Sequence, residues 1–387
     1  MQISQLYLDT NDYDKWQQLL SKAGLRPEQG LDESWGLFES DKLIATGSRQ
    51  GNILKCLAVD PEYQGGKAFD LIIAQLLQSV WHYQTAKREQ LKSYPVSERS
   101  SIEFTAEDVP GWDSVFAYTT AVSAQSFTWF GFEILESVGS QLIFMERTGE
   151  SGGLQNYLKY LTTRTLNSLA ASDDELPLND SMMPVSAIVM HANPFTLGHL
   201  YLAGLAAEES SLVHLFILSE ESPDFPPGDR FRMAQEATSH ISNLIIHPTG
   251  PYLVSSATFP SYFIQAEDEV TTLHAQLDAR IFLRHIAPAL SIQRRYLGTE
   301  PLSKKTNMYN EAIRTVFAGE LDLVIVPRLL SADGQPVSAS TVRRLYKVRN
   351  WQELAKMVPP STRAYLREHH REQAAQSEKD MSQREGM

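Results

Sequence analysis

The sequence predicts an α/β protein whose C-terminal half is built on a parallel β-sheet. After position 185, short apolar runs rich in β-forming residues alternate with segments of helical apolar spacing. The runs are Ser186–Met190, Leu212–Leu218, Leu244–Ile246, Arg295–Gly298 and Leu323–Val326, and the helical segments between them are Leu200–Ala207, Asp229–His240, Ile281–Leu290 and Asn307–Phe317. Strands that alternate with helices form a parallel sheet with crossover connections, and ligands bind at the carboxyl ends of its strands.

Composition limits the classes of function. The 387 residues suffice for two domains, and the formal net charge of −13 argues against general nucleic-acid binding, which needs a basic face. Cys56 is the only cysteine, so we expect no internal disulfide and no cysteine-rich metal site. We find no signal peptide and no apolar stretch of about 18 residues, so we expect a cytoplasmic protein without a membrane span.

The chain divides into four predicted parts. Residues 1–150 form an N-terminal domain, and residues 151–181 form a helical connection and a polar linker that contains Pro177. The parallel-sheet domain spans residues 182–367. Residues 368–387 are charged and lack aromatic side chains, so we expect a disordered tail.

The most informative motif follows the first strand of the C-terminal half. Residues 193–199 read Asn-Pro-Phe-Thr-Leu-Gly-His and lead into a helix. Gly198 permits close approach of an anion to the backbone, and His199 falls in the first helical turn, where N–H groups and the helix dipole attract negative charge. This pattern favours a phosphate site. The alternative is a histidine at a helix N-terminus that binds no ligand.

Two further segments are suited to phosphate binding. Val337–Arg343 reads Val-Ser-Ala-Ser-Thr-Val-Arg, so the hydroxyls of Ser338 and Ser340 lie at a helix start with Arg343 about one turn later. Taken alone, the segment favours a Ser-capped helix that binds no ligand. Arg230, at the start of the helix after Phe225–Gly228, is placed to reach a triphosphate or to lie exposed on the surface.

The Thr-x-Gly-His and Ser-x-Ser-x-x-Arg motifs, after the first and last strands, together resemble the nucleotidyltransferase superfamily. The resemblance implies a Rossmann-like fold in which Thr196 and His199 contact the phosphates of ATP. It also implies that Ser338, Ser340 and Arg343 bind the β- and γ-phosphates, and that Mg²⁺ is carried on the triphosphate. No Asp or Glu stands out as a further ligand, so we predict no metal site in the protein itself. The nucleotide-binding residues predicted beside the catalytic Thr196 and His199 are Phe195, Gly198, Arg230, Gly298, Glu300, Ser338, Ser340 and Arg343.

An ordered set of segments between Ser186 and Tyr365 is similar to the citrate lyase ligases. These segments are Phe195–Leu205, Leu215–Glu220, Asp229–Met233, Ser255–Phe263, Ile286–Leu290, Gly298–Pro301 and Tyr309–Ala312. The resemblance implies that ATP and acetate give acetyl adenylate and pyrophosphate. The acetyl group then passes to the thiol of a phosphoribosyl-dephospho-coenzyme A group on the acyl-carrier subunit of citrate lyase, which switches the lyase on.

The acid pocket is the least defined part of the predicted site. Ser255, Ser256 and Phe259 combine small hydroxyls with an aromatic ring, as a pocket for a two-carbon acid does, and a packed loop is the equal alternative. Tyr309 and Asn310 are candidates for contact with the substrate. Gly298 and Glu300 are candidates for contact with adenine, ribose or the carrier thiol.

The N-terminal half resembles the GNAT acetyltransferases, in Leu57–Ala68 and in Phe130–Glu133 with the strand Gln141–Glu146. In that family, a loop of the form Gln/Arg-x-x-Gly-x-Gly/Ala donates backbone amides to the diphosphate of acetyl-coenzyme A. Here Lys67 and Phe69 stand where the loop requires glycine and a small residue, so their side chains obstruct the phosphates. We therefore expect a degenerate domain that docks the coenzyme A-like group without catalysing transfer. Residues 85–126 are expected to form an insertion.

Three functions stay open from the sequence. The leading hypothesis is the acetate-activating ligase. The second is an adenylyltransferase acting on a phosphopantetheine-like acceptor, and the third is a non-catalytic regulator that senses nucleotide and coenzyme A-like groups.

Overall fold

The computed structural model describes residues 1–93, 109–171, 183–253, 259–260, 262–264, 266–299, 304–331 and 334–385. The first sheet has seven strands, in the order β1-β2-β3-β4-β5-β7-β6. They are β1 (Gln2–Leu6), β2 (Glu33–Glu39), β3 (Lys42–Gln50), β4 (Ile53–Val59), β5 (Val115–Thr119), β6 (Glu133–Val138) and β7 (Leu142–Arg147). Three helices accompany them: α1 (Asp12–Lys22), α2 (Ala68–Ser93) and α3 (Ala121–Thr128).

The parallel pair β4–β5 is the special feature of this sheet, since its other described pairs are antiparallel. Helix α2 connects the two strands and buries Ile72, Leu76 and Val80, spaced four residues apart, against the sheet. The pairing of β4 with β5 covers only Ile53 and Leu54, so the strands diverge toward their carboxyl ends.

The prediction that residues 85–126 form an insertion is wrong for most of the described part of that range. Helix α2 continues to Ser93, and β5 begins at Val115. Phe116 and Tyr118 are each 3% exposed because they point into the core from this strand. Residues 94–108 lie outside the described residues.

The second sheet has five parallel strands in the order β10-β9-β8-β11-β12. They are β8 (Val185–Met190), β9 (Leu212–Ile217), β10 (Leu244–Pro248), β11 (Arg294–Gly298) and β12 (Asp322–Val326). The chain builds outward from β8 to one side and then returns to build the other side, so β8 and β11 flank a topological switch point. Such a point opens a ligand crevice at the carboxyl ends of the strands. The predicted fold class, an α+β domain followed by a parallel-sheet domain, is confirmed.

Helices cover this sheet and connect the two domains. They are α4 (Leu154–Ala171), α5 (Leu197–Glu208), α6 (Pro227–Thr238), α7 (Glu267–Ile281), α8 (Lys304–Phe317), α9 (Ala339–Lys347), α10 (Trp351–Leu354) and α11 (Pro360–Glu385). The connecting helix α4 packs Tyr157 into the core, and its hydroxyl donates to the carbonyl of Pro248 at 3.0 Å. Tyr252 donates to Glu146 at 2.7 Å across the domain interface. The exact domain boundaries stay predictions.

The C-terminal segment differs from expectation. Residues 368–385, expected to be disordered, belong to α11. The segment is rich in Glu, Gln, Ala, Lys and Arg, which have high helix propensity, and it continues a helix already formed from Pro360. Low hydrophobicity indicated disorder, whereas local propensity favours helix.

Candidate active site

The loop after β8 places Thr196 and His199 in a reciprocal cap of α5. The Oγ1 of Thr196 accepts the N–H of His199 at 3.4 Å, and the Nδ1 of His199 accepts the N–H of Thr196 at 2.9 Å. Thr196 is 1% exposed, so this buried N–H depends on the imidazole for its hydrogen bond. The sequence motif therefore fixes the ring of His199 at the start of the helix.

The cap also determines which nitrogen of His199 carries the proton. A backbone N–H is always a donor, so the Nδ1 that accepts it is unprotonated and the neutral ring carries its proton on Nε2. Burial, together with smaller electrostatic effects of Arg328 and His191, lowers the pKa of His199 to about 4. At neutral pH the residue is therefore an uncharged donor through Nε2–H.

Gly198 brings two parts of the site together. A Cβ at this position would lie 3.3 Å from the carbonyl oxygen of Val337, so the N-terminus of α5 packs closely against the chain that precedes α9. The N–H of Leu197 donates to the carbonyl of Met357 at 2.9 Å. The sequence assigned Gly198 to close approach of an anion, and the structure shows close approach of backbone to backbone.

The first turn of α9 lies beside this cap. Ser338 is the N-cap, and its Oγ accepts the N–H of Thr341 at 3.2 Å. The hydroxyl of Ser340 lies 3.2 Å from the same Oγ. Because α5 and α9 both begin here, their positive dipole ends lie on the same side of the sheet. The structure therefore brings the two predicted phosphate motifs into one cleft.

Arg343 ties α9 to the loops that follow β8 and β9. Its Nη1 donates to the carbonyl of Asn193 at 2.5 Å, and its Nε lies 3.0 Å from Asp224. Lys347 lies 3.5 Å from the same carboxylate. The Arg343 side chain is 29% exposed, so a ligand can reach it.

Arg230 lies beneath the site and not in it, contrary to the predicted contact with a triphosphate. The side chain is fully buried, and its Nη1 donates to the carbonyl of His191 at 3.1 Å. The Nη2 donates to the carbonyl of Glu220. Arg230 therefore joins the loops after β8 and β9 from below. Its position one turn into α6 fitted both roles, and only burial distinguishes them.

The other predicted nucleotide-binding residues, Phe195, Gly298 and Glu300, do not share one environment. Phe195 is fully buried and its ring packs 5.4 Å from that of His199, so it supports the imidazole and is not exposed to a ligand. Gly298 ends β11 in the open, with no atom within 4 Å of an added Cβ. Glu300 lies outside the described residues. Gly298 thus borders the crevice, whereas the side chain of Phe195 supports it.

The predicted acid pocket is not assembled by the described residues. Phe259 is 4% exposed and packs edge-on against Tyr118, so it belongs to the interface between the two domains. Tyr309 donates to Asp278 at 2.9 Å between α8 and α7, and Asn310 beside it is 7% exposed. Ser255 and Ser256 lie outside the described residues.

Sequence comparison shows the family. Residues 185–366 match the family described as the citrate lyase ligase C-terminal domain. The citrate (pro-3S)-lyase ligase of Klebsiella pneumoniae is 32% identical over 330 residues, which cover 84% of each chain. The enzyme of the same name from Escherichia coli K12 is 31% identical and covers 94% of this chain and 93% of its own. The chain belongs to the citrate lyase ligase family.

Solved structures superpose on this citrate lyase ligase family member only loosely. Thermotoga maritima TmcAL bound with α-thio ATP gives a TM-score of 0.31 at 13% identity, over 49% of this chain and 56% of that chain. In the described part of this chain, every helix is too short or too polar to cross a membrane. The described residues contain no cluster of three His, Cys, Asp or Glu side chains suited to a metal ion.

Three polar groups at the site of this family member are not among the residues predicted from the sequence. His191 and Glu220 follow β8 and β9, and the Nε2 of His191 lies 3.1 Å from Oε1 of Glu220. Arg328 follows β12, and its charge lowers the pKa of His199. Each of the three residues lies just past the carboxyl end of a strand. That position is the signal that could have identified them.

Tyr262 fills the gap between the diverging strands of the N-terminal sheet. It comes from the C-terminal domain and is 5% exposed, and its hydroxyl donates to the carbonyl of Tyr118 at 3.1 Å. Its ring packs with Cys56 and Ala58 of β4. A cavity of about 530 Å³ remains beside the loop at Gln64–Gly66. Tyr262 also lines this cavity.

Proposed function

We propose that the chain is an ATP-dependent ligase that activates acetate as acetyl adenylate, with release of pyrophosphate. It then acetylates the thiol of the coenzyme A-like group on the acyl-carrier subunit of citrate lyase. The relatives that carry the name citrate (pro-3S)-lyase ligase match this chain over most of its length, which supports the assignment. The observation that carries it in the structure is the junction of the two phosphate motifs.

The junction supports binding of a triphosphate. Gly198 and Val337 are in close contact, so the starts of α5 and α9 share one crevice beside Arg343. Helix N-termini offer N–H groups without intrahelical partners, which bind phosphate oxygens. Ser338 and Ser340 add hydroxyls to the same end, and Arg343 adds a guanidinium charge near them. We assign the β- and γ-phosphates to α9 and the α-phosphate to His199.

The proposed chemistry is in-line attack of acetate on the α-phosphate. Acetate is ionised at neutral pH and needs no base, so orientation and charge stabilisation carry the step. The extra charge on the α-phosphate in the transition state falls on oxygens that the Nε2–H of His199 can meet. A fixed donor of this type stabilises the transition state more than the ground state. Thr196 holds the ring in position.

We propose that Mg²⁺ binds to the protein together with the triphosphate. The carboxylate of Asp224 is paired with Arg343 and Lys347, so it is a poor metal ligand in this arrangement. Phosphate oxygens and water then supply the remaining ligands, as Mg²⁺ commonly accepts. Bound in this way, the ion would neutralise charge on the departing pyrophosphate.

The proposal is tested by acetate-dependent exchange of labelled pyrophosphate into ATP, which requires a reversible adenylate and no carrier protein. Hydroxylamine in a parallel reaction traps acetyl adenylate as acetohydroxamate. We expect both signals with acetate. Exchange that needs phosphopantetheine in place of acetate would support the adenylyltransferase, and nucleotide binding without exchange would support the regulator.

A further inference from the structure

A second cavity, of about 410 Å³, lies between the two domains. The N-terminal domain lines it with Asn52, Tyr83 and Trp112 among others, and the C-terminal domain lines it with the loops that follow β9 and β10, including Ser219 and Glu220. Ser219 is held in place because its N–H donates to Thr249 at 2.9 Å. Both domains are therefore needed to form this cavity.

The cavity adjoins the candidate active site on the side away from the junction of the α5 and α9 helix starts, which is the proposed phosphate site. The proposed phosphate site lies at the carboxyl ends of β8 and β12, beside α9. The cavity lies at the carboxyl ends of β9 and β10. Glu220 belongs to both, since it lines the cavity and its Oε1 lies 3.1 Å from His191. Arg230 fixes its carbonyl from below. A molecule in the cavity thus meets the reaction centre at Glu220.

The charges on the cavity wall indicate what it binds. Asp32, Glu220 and Glu221 line it with a single ammonium group, Lys87, which is 3.7 Å from Glu221. Asp32 is paired with Arg49 at 3.3 Å and Lys87 with Glu221, so the wall offers a triphosphate or acetate no unpaired cation among its described lining residues. A volume of about 410 Å³ is also typical of sites for ligands much larger than a two-carbon acid. The cavity therefore suits a neutral, elongated group.

One unmet hydrogen-bonding atom supports a ligand with N–H donors. The Nδ2 of Asn52 donates to the carbonyl of Trp112, while its Oδ1 is buried and has no partner among the described residues. Buried acceptors without partners are rare in native proteins. An amide N–H of a flexible arm is a fitting partner for Oδ1. Trp112 and Tyr83 offer apolar surface for the methylene groups of such an arm.

We propose that this cavity receives the amide-bearing thiol arm of the acceptor and that Glu220 takes the thiol proton during acetyl transfer. This inference rests on the proposed function. The sulfur attacks the carbonyl carbon of acetyl adenylate as its proton passes to the carboxylate of Glu220. The bond between that carbon and the phosphate oxygen breaks, AMP leaves as the anion, and an acetyl thioester forms.

The environment of Glu220 suits a base for a thiol. Its side chain is 10% exposed, and burial raises the pKa of its carboxyl to about 7, an effect that Arg230 partly offsets. An ordinary thiol has a pKa of about 8.5, so the two values are close enough for efficient proton transfer. The charged and titratable groups around Glu220 are His191, Arg230, Glu221, Lys87 and Asp32.

The test separates the two half-reactions in the full-length chain, with pantetheine as the thiol probe. Pyrophosphate exchange with acetate reports adenylation, and formation of acetylpantetheine reports transfer. We expect Glu220→Gln to lower the transfer rate about 10²-fold, at the low end for loss of a general base, and to lower exchange far less. The matched control is Glu236→Gln, a half-exposed carboxylate on α6 outside the site. It should change neither rate.

Two further measurements keep the inference testable if Gln perturbs the loop. The transfer rate of the wild type should rise with pH through the ionisation of Glu220, and Glu220→Asp should recover part of the transfer rate. Asn52→Leu should raise the KM for pantetheine at least fivefold without a matching loss of exchange.

Equal losses of exchange and transfer in Glu220→Gln would overturn the inference, as would an unchanged transfer rate. Wild-type exchange without any acetylpantetheine would overturn the arm-binding site. Absence of exchange in the wild type would instead contradict the proposed function itself, so the two failures are distinguishable.

Discussion

Replacement of His199 is the most informative perturbation, because its two ring nitrogens have different hydrogen-bonding roles. Nδ1 accepts the N–H of Thr196 at 2.9 Å, and we propose that Nε2–H donates to the α-phosphate. His199→Ala removes both interactions. His199→Gln retains a side-chain acceptor of the kind that closes a capping box at this helix position, and it removes the donor in its present place.

The two variants should separate stability from catalysis. In His199→Ala, the N–H of the buried Thr196 loses its partner, which should lower the free energy of unfolding by about 1–3 kcal/mol. Loss of the donor should cost about 2.7–4 kcal/mol of transition-state stabilisation, or 10²–10³ in kcat. His199→Gln should recover most of the stability and little of the rate.

Urea unfolding measures the first quantity, and the rate of acetate-dependent pyrophosphate exchange measures the second. A Gln variant as unstable as the Ala variant would refute the reciprocal cap. A Gln or Ala variant with wild-type exchange would refute the catalytic role of the Nε2–H donor.

Three further predictions follow from other contacts. Arg230→Met should lower the free energy of unfolding by roughly 2–4 kcal/mol in urea, since the carbonyls of His191 and Glu220 lose their donor; an unchanged midpoint would refute the buried role. Gly198→Val should lower kcat/KM for ATP by roughly 10²-fold by displacing α9, and wild-type kinetics would contradict the close contact with Val337. Burial lowers the pKa of His214 to about 4, so the unfolded state binds its proton first. The contribution of His214 to the free energy of unfolding should be constant above pH 6.5 and about 2 kcal/mol lower at pH 5. In urea unfolding between these pH values, His214→Phe should lack this decrease.

The sequence predicts the junction of the α5 and α9 helix starts because each helix start is built from local signals. Thr196, Gly198 and His199 lie at one helix start and Ser338 at another, and capping residues form their contacts within a few positions of the chain. The alternation of strands and helices then implies that both helix starts lie at the carboxyl edge of one sheet. Long-range packing adds the contacts of Gly198 with Val337, of Leu197 with Met357 and of Arg343 with Asn193.

What the sequence does not predict depends on long-range packing. An arginine at a helix start gives no sign of whether it points outward or inward, so the burial of Arg230 was missed. Tyr262 reaches the N-terminal sheet from a loop more than 140 residues beyond β5, and no local pattern reveals it. Phe259 was read as a pocket residue for the same reason, although its ring packs between the domains.

The central claim is that acetate attacks the α-phosphate of ATP to form an acyl adenylate. Acetate labelled with ¹⁸O in its carboxylate, incubated with ATP, pantetheine and the full-length chain, tests it directly. Attack at the α-phosphate followed by transfer to the thiol leaves one labelled oxygen on AMP, and mass spectrometry should find it there. Label in pyrophosphate, or unlabelled AMP accompanying acetylpantetheine, would contradict the account.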